Sequence, residues 1–409
     1  MIRSSEVGEY CKGRQQNYAG ARALLPRAVE SVKAERDQAK GHVEAILSTL
    51  VPFLPSEVGY QVCLVDDCDV ADTQMVEDGG QLIVVNRHYL GFLRNFVELI
   101  VRGIRLGEGG SAMVSYGVDD DDKVQFGKMI GEYLELGSPL TFPPCAEGGL
   151  GPDIAVAAIE FVLAHEVVHR LEGDVGDFDR ELTGFQDFCR LRGREFRCDR
   201  RAVALLLDRR RNIDMPEIAF LGAVCALMAI SWVEQFTPGH GPARDGSWQH
   251  PGSDSRVLRV HLEEPLFWKA TGLEGQPNGL TGAALRRALR FLAALEGDPK
   301  LIASPLNDLI HRCILGGAPN HDLFEARVGE AFARGRVMHV AMSLGAIWGS
   351  SERMAEDERR GRYEMPEGQL ACSLLGRMHD KLFAYGGAAR EIATAITRSK
   401  EHRLTLPEL

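Results

Sequence analysis

No stretch of the chain restricts its fold as tightly as Phe161-Val162-Leu163-Ala164-His165-Glu166-Val167-Val168-His169. The apolar residues in and around it recur in the manner of a buried helix. On a helix His165 and His169, four apart, share a face, so two imidazole nitrogens can converge on one metal ion. Glu166, beside the first histidine, can reach the open coordination position, where a bound water needs a base. Ile159, Phe161, Val162, Leu163, Val167 and Val168 would bury the helix and keep such a site dry. Two histidines at this spacing also occur as plain core or surface residues, so the pattern calls for a third donor elsewhere in the chain.

The 409 residues, 45% of them hydrophobic, suffice for a large core and two or more lobes. A formal net charge of −11 argues against a general nucleic-acid binder and points to proteins or peptides as partners. Nine cysteines without a C-x-x-C pair argue against a disulfide framework. The first ten residues lack an apolar core and a cleavage signature, so a cytoplasmic location is expected. Residues 219–233 carry no charge but fall short of the ~20 apolar residues of a membrane span. A buried helix, and no membrane partner, is the expectation there.

Taken in order, the pattern predicts a helix over 19–50, strands over 59–65 and 81–86, and a helix over 89–100. Residues 103–125 are rich in glycine and then acidic, and Asp119 to Lys123 reads as a solvated loop before a short helix over 129–136. Asp153 is the expected cap of a motif helix over 154–171, and a second helix is predicted over 193–207. Beyond a loop rich in proline and glycine near Pro238, amphipathic helices recur from Thr281, itself read as a cap, to Arg398. The organisation expected is an N-terminal helix and small α+β lobe over 1–150, a core carrying both motif helices over 151–265, and a helical region over 266–409 that forms one wall of a substrate cleft.

The helix over 193–207 places Glu195 and Asp199 at i and i+4. One carboxylate could complete a His-His-Glu zinc site while the other accepts the second ring N–H of a ligand histidine. With Arg194, Arg197, Arg200 and Arg201 alongside, the two acids could equally form a salt-bridged helix face.

The series H-E-x-x-H followed by E-x-x-x-D-x-x-A resembles the gluzincin metallopeptidases. That resemblance implies Zn2+ held by His165, His169 and Glu195, with Glu166 as general base and Asp199 supporting a histidine. The metzincin pattern would need glycine and histidine where this chain has Glu172 and Val175. The glycine-Met-Glu-Asn signature of gluzincin aminopeptidases is also missing. His250-Pro251-Gly252-Ser253-Asp254-Ser255-Arg256 is similar to the H-P-x-x-x-x-R segment of the HtpX-like and CAAX-prenyl-protease branch. There it implies that His250 stabilises an oxyanion and that Arg256 steadies the helix-borne acid. The order of elements from Gly79 to Arg256 is similar to that branch as well, without its membrane spans, and the Lit-like peptidases of phage exclusion offer a further comparison.

The fold these resemblances imply is α+β and mostly helical, a zincin-like core with a small sheet and a helical C-terminal region. The activity they imply is zinc-dependent hydrolysis of peptide bonds in protein substrates. Two other readings stay open: a regulatory or interaction protein with a closed structural zinc site, and a defence peptidase that needs an activating partner protein.

Overall fold

The structure, a computed structural model, describes residues 26–53, 58–65, 71–76, 79–102, 104–106, 112–114, 118–136, 150–172, 185–210, 217–236 and 280–298, with 3–7, 9, 256, 257, 259, 260, 264, 265, 269, 301 and 302. These residues form a mostly helical α+β arrangement with a small three-stranded sheet, as expected. Helix α1 (Pro26–Leu50) opens on a proline, whose missing N–H has no partner to lose in a first turn. Its last turns bury Val43, Ile46, Leu47 and Leu50, spaced along one face.

Strand β1 (Tyr60–Val65) pairs in parallel with β3 (Gln81–Asn86), and β2 (Ala71–Met75) pairs antiparallel on the other side of β3. Alternation along the strands sends Val62, Leu64, Ile83 and Val85 into the main core. Cys63, Val65, Leu82 and Val84 enter a second, smaller cluster. A ribbon of β4 (Ile104–Leu106) and β5 (Ala112–Val114) lies within the stretch that composition alone presents as loop.

The Asn86 side chain accepts hydrogen bonds from the backbone N–H of His88 and Tyr89, so β3 turns directly into α2 (Arg87–Val101). The acidic run is not a solvated loop: it starts α3 (Asp120–Leu136). The Asp119 carboxylate accepts from the Asp122 N–H at 2.7 Å, and three aspartates at the positive end of the helix dipole are favourable. Asp122 in turn accepts from Arg287 at 2.7 Å, on α7 (Leu280–Gly297).

The central helix is α4 (Gly151–Leu171). Pro152 sits in its first turn, so it begins earlier than Asp153, which lies inside that turn while Leu150 holds the cap position. From Ile154 to His169 every residue but the half-buried Val156 is buried. Helix α5 (Phe185–Arg210) runs antiparallel to it: Glu160 pairs with Arg209 and Arg210, and further along His165 and His169 meet Asp199 and Glu195.

Helix α6 (Glu217–Phe236) is buried at every residue from 218 to 229, which is what a helix apolar on all sides requires. It packs against α4 so closely that a Cβ on Gly222 would lie 2.6 Å from the Cβ of Ala157. No helix among the described residues is long and apolar enough to cross a membrane. One hydrophobic core runs from Val43 through α4 and α6 to Leu295 of α7. Thr281 lies within α7 and is buried there, not at its cap. The helices predicted beyond residue 302, residues 19–25 and the acids of 173–180 lie outside the described residues.

Candidate metal centre

His165 and His169 stand one turn apart on α4 with their Nε2 atoms 3.0 Å from each other. Glu195 of α5 meets both, Oε2 lying 3.4 Å from His165 Nε2 and Oε1 3.5 Å from His169 Nε2. All three side chains are withdrawn from water, with residue exposures of 6%, 4% and 3%. Tetrahedral zinc with bonds of about 2.0–2.1 Å needs donor separations of roughly 3.3–3.4 Å. The observed distances bracket that value, so the three can hold a metal ion.

The electrostatics make the same demand. At 3.0 Å the two Nε2 atoms need a proton or a metal ion between them. Burial opposes a charged His165, but hydrogen bonds to Asp199 and Glu195 outweigh it and raise the ring to about 9. A divalent ion bound there would displace the Nε2 proton of the His165 ring.

A second layer holds the ligand candidates. Asp199 Oδ1 lies 2.9 Å from His165 Nδ1 and accepts its N–H, which leaves the Nε2 lone pair toward Glu195 and His169. Arg256 grips Asp199 with both arms, Nε donating to Oδ2 at 2.8 Å and Nη2 to Oδ1 at 2.6 Å. Burial pushes the Asp199 carboxyl up, yet Arg256 and His165 outweigh it and hold the group below the ordinary carboxylate range. The same guanidinium reaches Glu195 Oε2 at 3.5 Å, so it spans Glu195 and Asp199. The sulfur of Cys198 sits 3.3 Å from His169 Nδ1.

Glu166 is buried between the two histidines in the sequence of α4. Its backbone carbonyl accepts from Gln81 Nε2 at 2.7 Å, and that amide also donates to Thr73 Oγ1 at 2.5 Å. Strands β2 and β3 are thereby fastened to α4 at the glutamate of the motif.

Five of the seven residues singled out from sequence are joined by these contacts, His165, His169, Glu195, Asp199 and Arg256, and Glu166 is buried on α4 next to His165. The seventh, His250, lies outside the described residues. Of the two α5 acids predicted to serve the site, Glu195 belongs to the converging donor group and Asp199 to the far side of the His165 ring. Cys198, Gln81 and Thr73 escape a reading by motif. For Cys198 a signal exists, since i, i+3 and i+4 spacing puts Glu195, Cys198 and Asp199 on one helix face.

No curated protein and no solved structure matches the chain. Residues 150–264, under a third of the sequence, match the model of the Peptidase U49 family, a family of proteases. That segment contains His165, Glu166, His169, Glu195, Asp199 and Arg256, and the likeness supports a peptidase.

Proposed function

We propose that the chain is a zinc-dependent endopeptidase that hydrolyses peptide bonds of protein substrates, with His165, His169 and Glu195 as the ligands of the metal. The observation that carries this reading is the convergence of two imidazoles and one carboxylate inside the segment that resembles a peptidase family. Two nitrogen donors and one carboxylate suit zinc better than magnesium or calcium, which prefer oxygen alone. When bound, the metal supplies Lewis acidity that polarises the scissile carbonyl and acidifies water.

The chain's own residues do the rest. Glu166 takes a proton from the attacking water as its oxygen bonds to the carbonyl carbon, then passes a proton to the amine nitrogen as the C–N bond breaks. Asp199 keeps His165 in the tautomer whose Nε2 is free, and Arg256 keeps Asp199 ionised. His250 donates to the oxyanion that develops on the carbonyl oxygen.

Purified chain is expected to cleave unfolded casein or proteins of a cell extract, the extract supplying any activating partner. A zinc chelator stops the cleavage and added zinc restores it. Cleavage indifferent to chelation overturns the proposal.

A further inference from the structure

Helix α5 meets the two ring histidines of α4 in the same way but with different chemistry. Asp199 lies against Nδ1 of His165 at 2.9 Å, and Cys198 lies against Nδ1 of His169 at 3.3 Å. Glu195, three residues before Cys198, reaches the Nε2 atoms of both rings. One face of α5 therefore addresses each imidazole at both of its nitrogens.

We infer that Cys198 is a positioning residue for His169, its sulfur accepting the Nδ1–H of the ring and so holding Nε2 toward the metal. The inference rests on the metal-site reading given above. If Nε2 is to present a lone pair to an ion, the ring proton belongs on Nδ1, and the atom lying there is the Cys198 sulfur. Sulfur is itself a common zinc ligand, but here it stands against the nitrogen remote from the shared donor group of His165, His169 and Glu195.

The identity of the residue has an electrostatic reason. Cys198 is fully buried, and Asp199 and Glu195 beside it already share the Arg256 guanidinium. A carboxylate behind His169 would add a further buried negative charge, which is costly without a partner. A thiol accepts the N–H without adding charge, although more weakly than a carboxylate does. The two ligand histidines thus differ in what stands behind them, a carboxylate at His165 and a sulfur at His169.

The test compares Cys198→Ser, which keeps an acceptor, with Cys198→Val and Cys198→Ala, which remove it with and without filling the space. Zinc affinity is read by competition with a chelator, and the ligand field by the visible spectrum of the cobalt-loaded protein. Cys198→Val and Cys198→Ala are expected to bind zinc about 10–100-fold more weakly than wild type. Cys198→Ser stays close to wild type and shares its cobalt spectrum, while the spectra of the other two shift. A packing role alone predicts the reverse order, with Cys198→Val nearest to wild type, and that result overturns the inference. Wild-type affinity in all three variants overturns it too. Failure of wild type to take up zinc or cobalt overturns the metal-site reading together with this one.

Discussion

Glu166→Gln is expected to leave metal binding intact and to lower peptide-bond cleavage by about 10²–10⁴-fold, the span that a positioned acid–base group contributes. The substitution keeps the size of the side chain and its place in α4, and it leaves His165, His169 and Glu195 unaltered. What it removes is basicity. The backbone carbonyl of residue 166 still accepts from Gln81, so the tie between the sheet and the helix survives. The measurement is cleavage rate beside zinc content for wild type and variant at one protein concentration. Undiminished cleavage by a zinc-loaded variant would remove Glu166 from the role of base.

Arg256→Leu carries the largest expected effect on stability. Asp199 is 1% exposed and has both oxygens engaged by this one guanidinium. Leaving a buried carboxylate without its cation costs about 3–5 kcal/mol, whereas the same change in an exposed pair costs about 1 kcal/mol or less. Chemical denaturation of wild type and variant distinguishes the two. Arg256→Lys should recover part of the loss, because the charge returns but the two-armed geometry does not. A shift below about 1 kcal/mol in Arg256→Leu would mean that water or the His165 ring satisfies Asp199 and that the clamp contributes little.

How much of this was legible in the sequence depends on how local the cause is. His165, His169, Glu195 and Asp199 stand out because helical spacing alone brings each pair onto one face. Helix α6 was legible for a similar reason, its uncharged stretch over 219–233 being apolar on every side and falling short of a membrane span. Strand β2, with Asp72, Thr73 and Gln74, lacks apolar alternation and exists through its pairing with β3. The acidic run misleads because the reason Asp122 turns inward is Arg287, 165 residues away. Gln81 is likewise explained only by a carbonyl 85 residues downstream. Cys198 lay between the two, on the informative face of α5 but of a residue type that a search for carboxylates passes over.

Whether α4 and α5 together build a three-donor zinc site is read most directly from the metal content of purified protein. Wild type is set beside His165→Ala and Glu195→Ala, with zinc measured after removal of loosely bound ions. Stoichiometric zinc in wild type, lost from both variants, is the expected result. Zinc retained by Glu195→Ala at the wild-type level would contradict the account and move the third ligand to another acid, with Asp174, Asp177 and Asp179 the first to try.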